Sequence, residues 1–438
     1  MGFKCIMDIE KFHKHRACGD LSVLSLVERS LERIRTLDGE HGAWVHVADK
    51  DALLQLAADS DARWTSGTPL SALDGLPFSV KDSQHVVGMP TTFGSLAATP
   101  VLPTQSSPIV ERLQKAGAIA LGKTSLPEFS WKGTTESPRS GITRNPRYPH
   151  YSPGGSSGGA AVSIAQGACL LATGTDAAGS VRIPAAFTGT VGFKPSDSIA
   201  LSTGAVEGFK RIGHWGVHTR TLADLARVWN TLYDSAAAPE QLRWASIDTS
   251  TRMGSRAKSF YDACVARMVK RFGPPAAVFR PDWVSARQAI HSLYLRGCFE
   301  TFSRIDSLRI DLVDPGLADF ANRGALVNAH KLAQAIDAQV MLRSMLDQIF
   351  EVADVLVLPT VAFDPPLIGK ESPEEAGVDD WIDWAHCTYL TNLTGHPSLS
   401  LPWELEGVPF GLQVVGLRGR DAQLLAASEQ INRLMGTE

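Results

Sequence analysis

Apolar positions change their period several times along the chain, and each change marks a new element. Leu24, Val27, Leu31 and Ile34 recur at the spacing of one face of an amphipathic helix. Residues 50–59 and 107–116 carry the same period and predict two more helices. Between these, Leu76 to Val80 is a short apolar run that reads as a strand with Lys81 at its end. Ala118 to Leu121, Leu170 to Thr173, Thr190 to Phe193 and Val355 to Pro359 read as further core strands. Ala160 to Ala168 reads as a helix of small residues, able to pack closely beneath a neighbouring loop. Leu399 to Trp403 and Phe410 to Val415 predict two strands joined through Glu406-Gly407, and Asp421 to Leu434 predicts a closing helix.

Residues from about 253 to 350 differ. They are rich in Arg, Gln and Leu at helical spacing, most clearly from Leu326 to Phe350, and predict a helical layer flanking the sheet. Strands alternating with helices indicate an α/β fold with a mixed sheet. A chain of 438 residues can hold two or three average domains. No repeat, low-complexity block or long linker divides it, so a single large domain over residues 1–438 is expected. Hydrophobic content of 44% and charged content of 20% fit a soluble globular protein.

Two glycine- and serine-rich stretches carry the candidate chemistry. The first is Gly154-Gly155-Ser156-Ser157-Gly158-Gly159, and the second runs from Gly174 through Asp176, Ala177, Ala178, Gly179 and Ser180 to Arg182. Upstream lies Gly75-Leu76-Pro77-Phe78-Ser79-Val80-Lys81-Asp82. A serine hydroxyl needs an adjacent base and backbone donors aimed at the developing oxyanion. Glycine lets backbone N–H groups approach a substrate closely, because no Cβ intervenes. Residues Ala177 to Ser180 therefore read as an oxyanion loop that ends in its own nucleophile. Lys81 can serve as base if burial keeps it neutral. Lys81, Ser156 and Ser180 are far apart in sequence, so only a fold can unite them.

These segments resemble the amidase signature family. The likeness rests on SPGGSSGGAAVSIAQGACLLATGTDAAGSVRIPA at 152–185 and on LDGLPFSVKD around Lys81. It continues through GAIALGKTSLPEF at 117–129, VGFKPS at 191–196 and TNLTGHPSLSLPWELEGVPFGLQVVG at 391–416, covering nearly the whole chain. The resemblance implies Ser180 as nucleophile, Ser156 as bridging serine after a non-proline cis peptide, and Lys81 as base. It also implies oxyanion donors from the backbone of Ala177, Ala178, Gly179 and Ser180. Ser157 is expected to support the hydrogen-bond network. The implied fold is one α/β domain, with helices on both faces of the sheet and a signature core at about 70–220. One departure is Ala178, where the family often has glycine. If that position needed φ > 0, alanine would be strained by roughly 1 kcal/mol or more.

Asp176 and Arg182 flank Ser180 and are expected to form an ion pair, or hydrogen bonds, that hold the loop; Asp82 is expected to do the same beside Lys81. Trp131, Phe187, Ile212 and Trp215, together with Gly155, are expected near the site and would make a pocket for a hydrophobic or aryl group. The alternative is that the large side chains are ordinary core residues. The implied substrate is a small amide or carbamate (urethane), the activity is that of an amidohydrolase, and the protein is expected to be a monomer or homodimer. The rival within the family is the glutaminase component of a tRNA-dependent amidotransferase.

A rival from another class is Gly117 to Thr124, which satisfies the phosphate-loop pattern GxxxxGK[ST]. Its middle residues, Ala-Ile-Ala-Leu, read as a strand rather than an open loop, which disfavours nucleotide binding. His214 and His218 have i, i+4 spacing, but Gly216 lies between them and no HExxH accompanies them, so no metal is expected. No cofactor is expected either. Net charge of −4 disfavours a general nucleic-acid binder. Cys5, Cys18, Cys169, Cys264, Cys298 and Cys387 are irregularly spaced and read as reduced, mostly buried thiols of a cytoplasmic protein. The chain opens on charged residues without an apolar leader segment, its Met-Gly start lacks the Ser or Thr of a myristoylation motif, and no apolar run is long enough to span a membrane.

Overall fold

The computed structural model describes residues 7–196, 209–248, 251–305, 307–378 and 380–436. Cys5 and the Met-Gly start lie outside the described residues. Among the described residues, eleven strands form one mixed sheet. Their spatial order is Trp44–Val47, Ile119–Thr124, Pro77–Lys81, Leu171–Asp176, His214–Thr219, Val191–Lys194, Ser398–Leu405, Val408–Val415, Val355–Pro359, Trp244–Ile247 and Ala277–Phe279. Helices cover both faces, and one continuous cluster of buried side chains runs from Ile9 to Met435. The fold is the α/β architecture expected from the alternating pattern, with a mixed sheet and helices in a single domain.

Local chemistry explains the element ends. Ser22 and Ser25 cap the Val23–His41 helix reciprocally, and Gly42 closes it in the left-handed conformation. The strands Ser398–Leu405 and Val408–Val415 pair with Leu405 opposite Val408. That register leaves a two-residue turn in which Glu406 and Gly407 both have positive φ, the geometry that suits the right-handed twist of the flanking strands.

The region of about 253–350, expected as a helical layer flanking the sheet, also contributes a strand. Ala277–Phe279 joins the sheet edge in parallel with Trp244–Ile247. A run of three residues is too short to show a period that distinguishes it from a helical connection. The strand His214–Thr219 is not foreshadowed by the pattern, because its histidines and glycine obscure an apolar alternation.

The sheet centre positions the site. Pro77–Lys81 runs parallel to Leu171–Asp176, with Phe78 opposite Leu171 and Val80 opposite Thr173. Both strands therefore end at the same edge, carrying Lys81 and Asp176. His214–Thr219 pairs antiparallel, so its first residue, His214, lies opposite Asp176 at that edge. Ligands of open α/β sheets bind outside the carboxyl ends of parallel strands, where these residues meet.

Candidate active site

Lys81 is fully buried, and its Nζ donates to Ser156 Oγ at 2.7 Å and to Thr175 Oγ1 at 2.9 Å. Burial pushes its pKa well below the usual lysine value, and the negative charge of Asp176 only partly opposes this. Asp82 takes the structural ion-pair role expected beside Lys81, with a partner other than Lys81. Asp82 is turned to Lys123, whose Nζ lies 2.8 Å from Asp82 Oδ1, and it also accepts from the Thr92 hydroxyl. Among the described residues, the hydrogen-bond partners of Lys81 are oxygens of Ser156 and Thr175, none of them a carboxylate.

The same pairing removes the phosphate-loop reading. Ile119–Thr124 is a fully buried strand, parallel to Pro77–Lys81 on one side and antiparallel to Trp44–Val47 on the other. Its backbone donors are committed to the sheet and Lys123 is consumed by Asp82, so neither can cradle a phosphate.

Ser156 follows a cis Gly155–Ser156 peptide. Gly155 is packed so closely that a Cβ there would sit 2.4 Å from the Thr134 carbonyl oxygen. Ser157 donates its hydroxyl to the Thr175 carbonyl at 3.2 Å and its N–H to the Ser180 carbonyl at 3.0 Å, tying the two serine loops together. It also precedes the fully buried helix Gly158–Ala165, whose small residues allow the close packing expected from composition. Ser156 and Ser180 line one small cavity of about 30 Å³ with Ser83, Phe129, Thr175 and Tyr294. Among the described hydrogen bonds, none joins the two serine hydroxyls; they share the cavity wall.

Asp176 organises the loop between them. Its carboxylate accepts from the N–H groups of Gly179 at 2.8 Å and Val181 at 3.1 Å, and from Asn392 Nδ2 at 2.9 Å. It also pairs with Arg182 at 2.7 Å, both side chains being wholly buried. Burial opposes the charge on Asp176, but the Arg182 guanidinium and the Asn392 amide outweigh it and hold the carboxyl well below the usual carboxylate range. Arg182 is itself satisfied by Thr391 Oγ1, Gln413 Oε1 and Asn392 Oδ1, each at 2.6 Å.

Asp176→Asn should therefore leave a buried guanidinium uncompensated and destabilise the fold by about 3–5 kcal/mol. Urea denaturation checks this, and a loss below about 1 kcal/mol would contradict it. The sign with pH follows from linkage: a depressed carboxyl contributes stability above its unfolded pKa and loses it as pH falls toward the folded value.

Because Gly179 gives its N–H to Asp176, the four expected oxyanion donors reduce to three. Among the described residues, the N–H groups of Ala177, Ala178 and Ser180 have no protein acceptor. Ala178 is accommodated, since it is not among the positive-φ residues. The glycine requirement falls on Gly179, with φ +121° and a hypothetical Cβ 2.3 Å from Thr388 Oγ1.

The expected aromatic pocket is corrected. Trp131 is buried edge-on against Phe320, and Trp215 stacks on Tyr233. Along the His214–Thr219 strand, side chains alternate between faces, so His214 reaches the cavity and Trp215 faces away. Ile212 contributes its carbonyl to Asn392 and His214, with a buried side chain that does not line the cavity. Phe187 stacks on Trp384 in the core. The aromatic lining instead comes from Phe129, Phe209 and Tyr294. The sequence reading also misses Thr175, Ser130 and His214. It misses Thr388, Thr391, Asn392 and Gln413 as well, which lie more than two hundred residues beyond the loop they hold.

His214 and His218 lie four residues apart on a strand, about 13 Å along its axis, too far to share an ion. Elsewhere, His291, Asp380 and Asp383 converge. Their carboxylates are taken up bidentately, Asp383 by Arg287 and Asp380 by Arg323, which makes this an ion-pair network. Cys169, Cys264, Cys298 and Cys387 are buried and free, whereas Cys18 is exposed. No helix among the described residues is long and apolar enough to cross a membrane.

The amidase family profile matches residues 25–269 and 302–425. AmiB2 of Mycobacterium tuberculosis is 32% identical over 435 residues, covering 95% of this chain and 93% of that protein. A glutamyl-tRNA(Gln) amidotransferase component from Nocardia farcinica is 30% identical, covering 90% of this chain and 91% of its own. A crystal structure of an amidase superposes with a TM-score of 0.89 at 27% identity, covering 98% of this chain and 100% of that one. A bacterial aryl acylamidase of the amidase signature family shares the fold, with a TM-score of 0.87 at 24% identity over 98% of this chain and 96% of that one. The chain belongs to the amidase signature family, and it is a hydrolase of amide C–N bonds.

Proposed function

We propose that the enzyme cleaves the C–N bond of a small hydrophobic or aryl amide, or of the corresponding carbamate, through an acyl-enzyme on Ser180. The observation that carries this reading is Lys81, a fully buried amine whose Nζ meets Ser156 and Thr175 oxygens and, among the described residues, no carboxylate. In such a setting the neutral amine is favoured and a lysine becomes a usable base. Ser180 Oγ attacks the carbonyl carbon while its proton passes to Ser156, and the Ser156 proton passes to Lys81. The resulting oxyanion is held by the N–H groups of Ala177, Ala178 and Ser180. Collapse breaks the C–N bond, and the proton on Lys81 returns through Ser156 to the leaving nitrogen. Water then attacks the acyl carbon and loses its proton through Ser156 to Lys81; as the acyl–oxygen bond breaks, that proton returns through Ser156 to Ser180 Oγ, restoring the hydroxyl and the neutral amine.

The Phe129, Phe209 and Tyr294 lining supports a substrate with an apolar face. The cavity holds a water-sized group, so a larger substrate must move some of those side chains aside. The likeness to the amidotransferase component favours a second reading, glutamine as the amide donor in a complex. A panel of glutamine, an aliphatic amide, an anilide and an aryl carbamate separates the two. The anilide or carbamate should exceed glutamine in kcat/KM by about 100-fold, because the Phe129, Phe209 and Tyr294 lining favours an apolar group over a charged amino-acid head. Preference for glutamine would overturn the aryl reading.

A further inference from the structure

Three buried polar atoms around the catalytic cavity have no protein partner among the described residues: Ser83 Oγ, Ser130 Oγ and His214 Nε2. Buried polar groups left unpaired are costly and uncommon, so their convergence on one small space points to a ligand group that satisfies them. The serine hydroxyls can donate or accept, and by themselves select nothing. The histidine is more restrictive.

His214 is 6% exposed, and its Nδ1 lies 3.0 Å from the Ile212 carbonyl oxygen. A carbonyl oxygen only accepts, so Nδ1 carries the proton. Nε2 is then a bare lone pair, provided the ring is neutral. Burial and the nearby Lys194 cation push the His214 pKa well below the usual histidine value, against the opposing charge of Asp176. The tautomer is thus set by a backbone carbonyl, and the acceptor is left on the ring nitrogen that has no protein partner among the described residues.

We infer that His214 is a specificity-determining residue whose Nε2 accepts a hydrogen bond from a neutral O–H or N–H group on the substrate. This rests on the placement of catalysis at Ser180 and refines the substrate class: amides or carbamates that carry a hydroxyl or amide donor beside their apolar part. An ammonium donor is disfavoured. Lys194 and Arg182 both act on His214 as cations, and the opposing Asp176 carboxylate is taken up by Arg182 and Asn392. Tyr294 does not compete for Nε2, because its hydroxyl donates to the Ser130 and Trp131 carbonyls.

The test uses isosteric pairs in which a hydroxyl replaces a methyl. Glycolanilide against propionanilide probes the acyl side, and 4-hydroxyacetanilide against 4-methylacetanilide probes the leaving side. In one pair the hydroxyl member should be preferred in kcat/KM by roughly 10- to 100-fold. His214→Leu should bring that ratio to near one, and His214→Gln, which keeps an acceptor, should retain part of it. A ratio that is near one in the wild type, or unchanged in His214→Leu, overturns the inference even when turnover is normal and Ser180-dependent.

Nitrogen-resolved NMR of the imidazole in Ser180→Ala gives a readout that needs no turnover. It should show a protonated Nδ1 and a bare Nε2 whose signal moves on adding the preferred hydroxyl anilide at saturation, and not its methyl partner. A proton on Nε2, or a signal indifferent to all four anilides, overturns the inference. Loss of the proposed catalytic reading would appear separately, as wild-type turnover that survives Ser180→Ala.

Discussion

Ser180→Ala should abolish nearly all turnover, lowering kcat by at least about 10⁴-fold, while leaving the fold intact. Removing the nucleophile of a serine hydrolase leaves only the contribution of oxyanion donors and substrate binding. Stability should change little, because Ser180 contributes to the loop through its carbonyl, which accepts from the Ser157 N–H, and that bond survives the substitution. The measurements are single-turnover kinetics and thermal unfolding on the same preparation. A sulfonyl fluoride or phosphonate should label Ser180 in the wild type. A label on Ser156, or a variant with near wild-type rate, would reverse the proposed roles.

Lys81→Arg should be nearly as damaging as Lys81→Met, each costing about 10³-fold or more in acylation. A guanidinium stays protonated in proteins, so it cannot take a proton even if it fits the space. In the wild type the rate should rise as pH increases through the depressed lysine pKa, because the neutral amine is the active form. Both variants should lose that limb of the profile. Stability follows with a definite sign. Between the lowered folded pKa of Lys81 and its usual value of 10.5, the unfolded chain binds more protons than the folded one. Stability therefore rises with pH across that window, and the curve for Lys81→Met should be flatter there. Persistent acylation in Lys81→Arg, or an unchanged alkaline rise, would remove lysine from the role of base.

Much of the scaffold is legible from period alone. The strand ending at Lys81, the small-residue helix after the first serine loop and the two-residue turn at Glu406-Gly407 all follow from local rules of spacing, side-chain size and backbone conformation. The strand His214–Thr219 is not legible, since a Gly and two buried histidines carry no apolar alternation. The loop-holding role expected of Asp82 is present, but its partners are not legible for a related reason. Asp82 lies just past the end of the Pro77–Lys81 strand and pairs with Lys123 and Thr92, while Lys81 turns to Ser156, and no short-range rule names those distant partners.

The sequence by itself determined the elements, the family resemblance and the short list of groups able to do chemistry, because these depend on residue type and short-range spacing. Only the tertiary structure decided which of those groups meet, since register between distant strands and burial arise from packing across the whole chain. It turned Asp82 away from Lys81, assigned the Gly179 N–H to Asp176 and moved Trp131 and Trp215 into the core. It also brought Asn392 to Asp176 across more than two hundred residues, and left His214 Nε2 at the cavity without a protein partner among the described residues. Desolvation of Lys81 belongs to the same class of fact. A lysine in a sequence is a cation by default, and only enclosure by the sheet and the two serine loops makes its neutral form the favoured one.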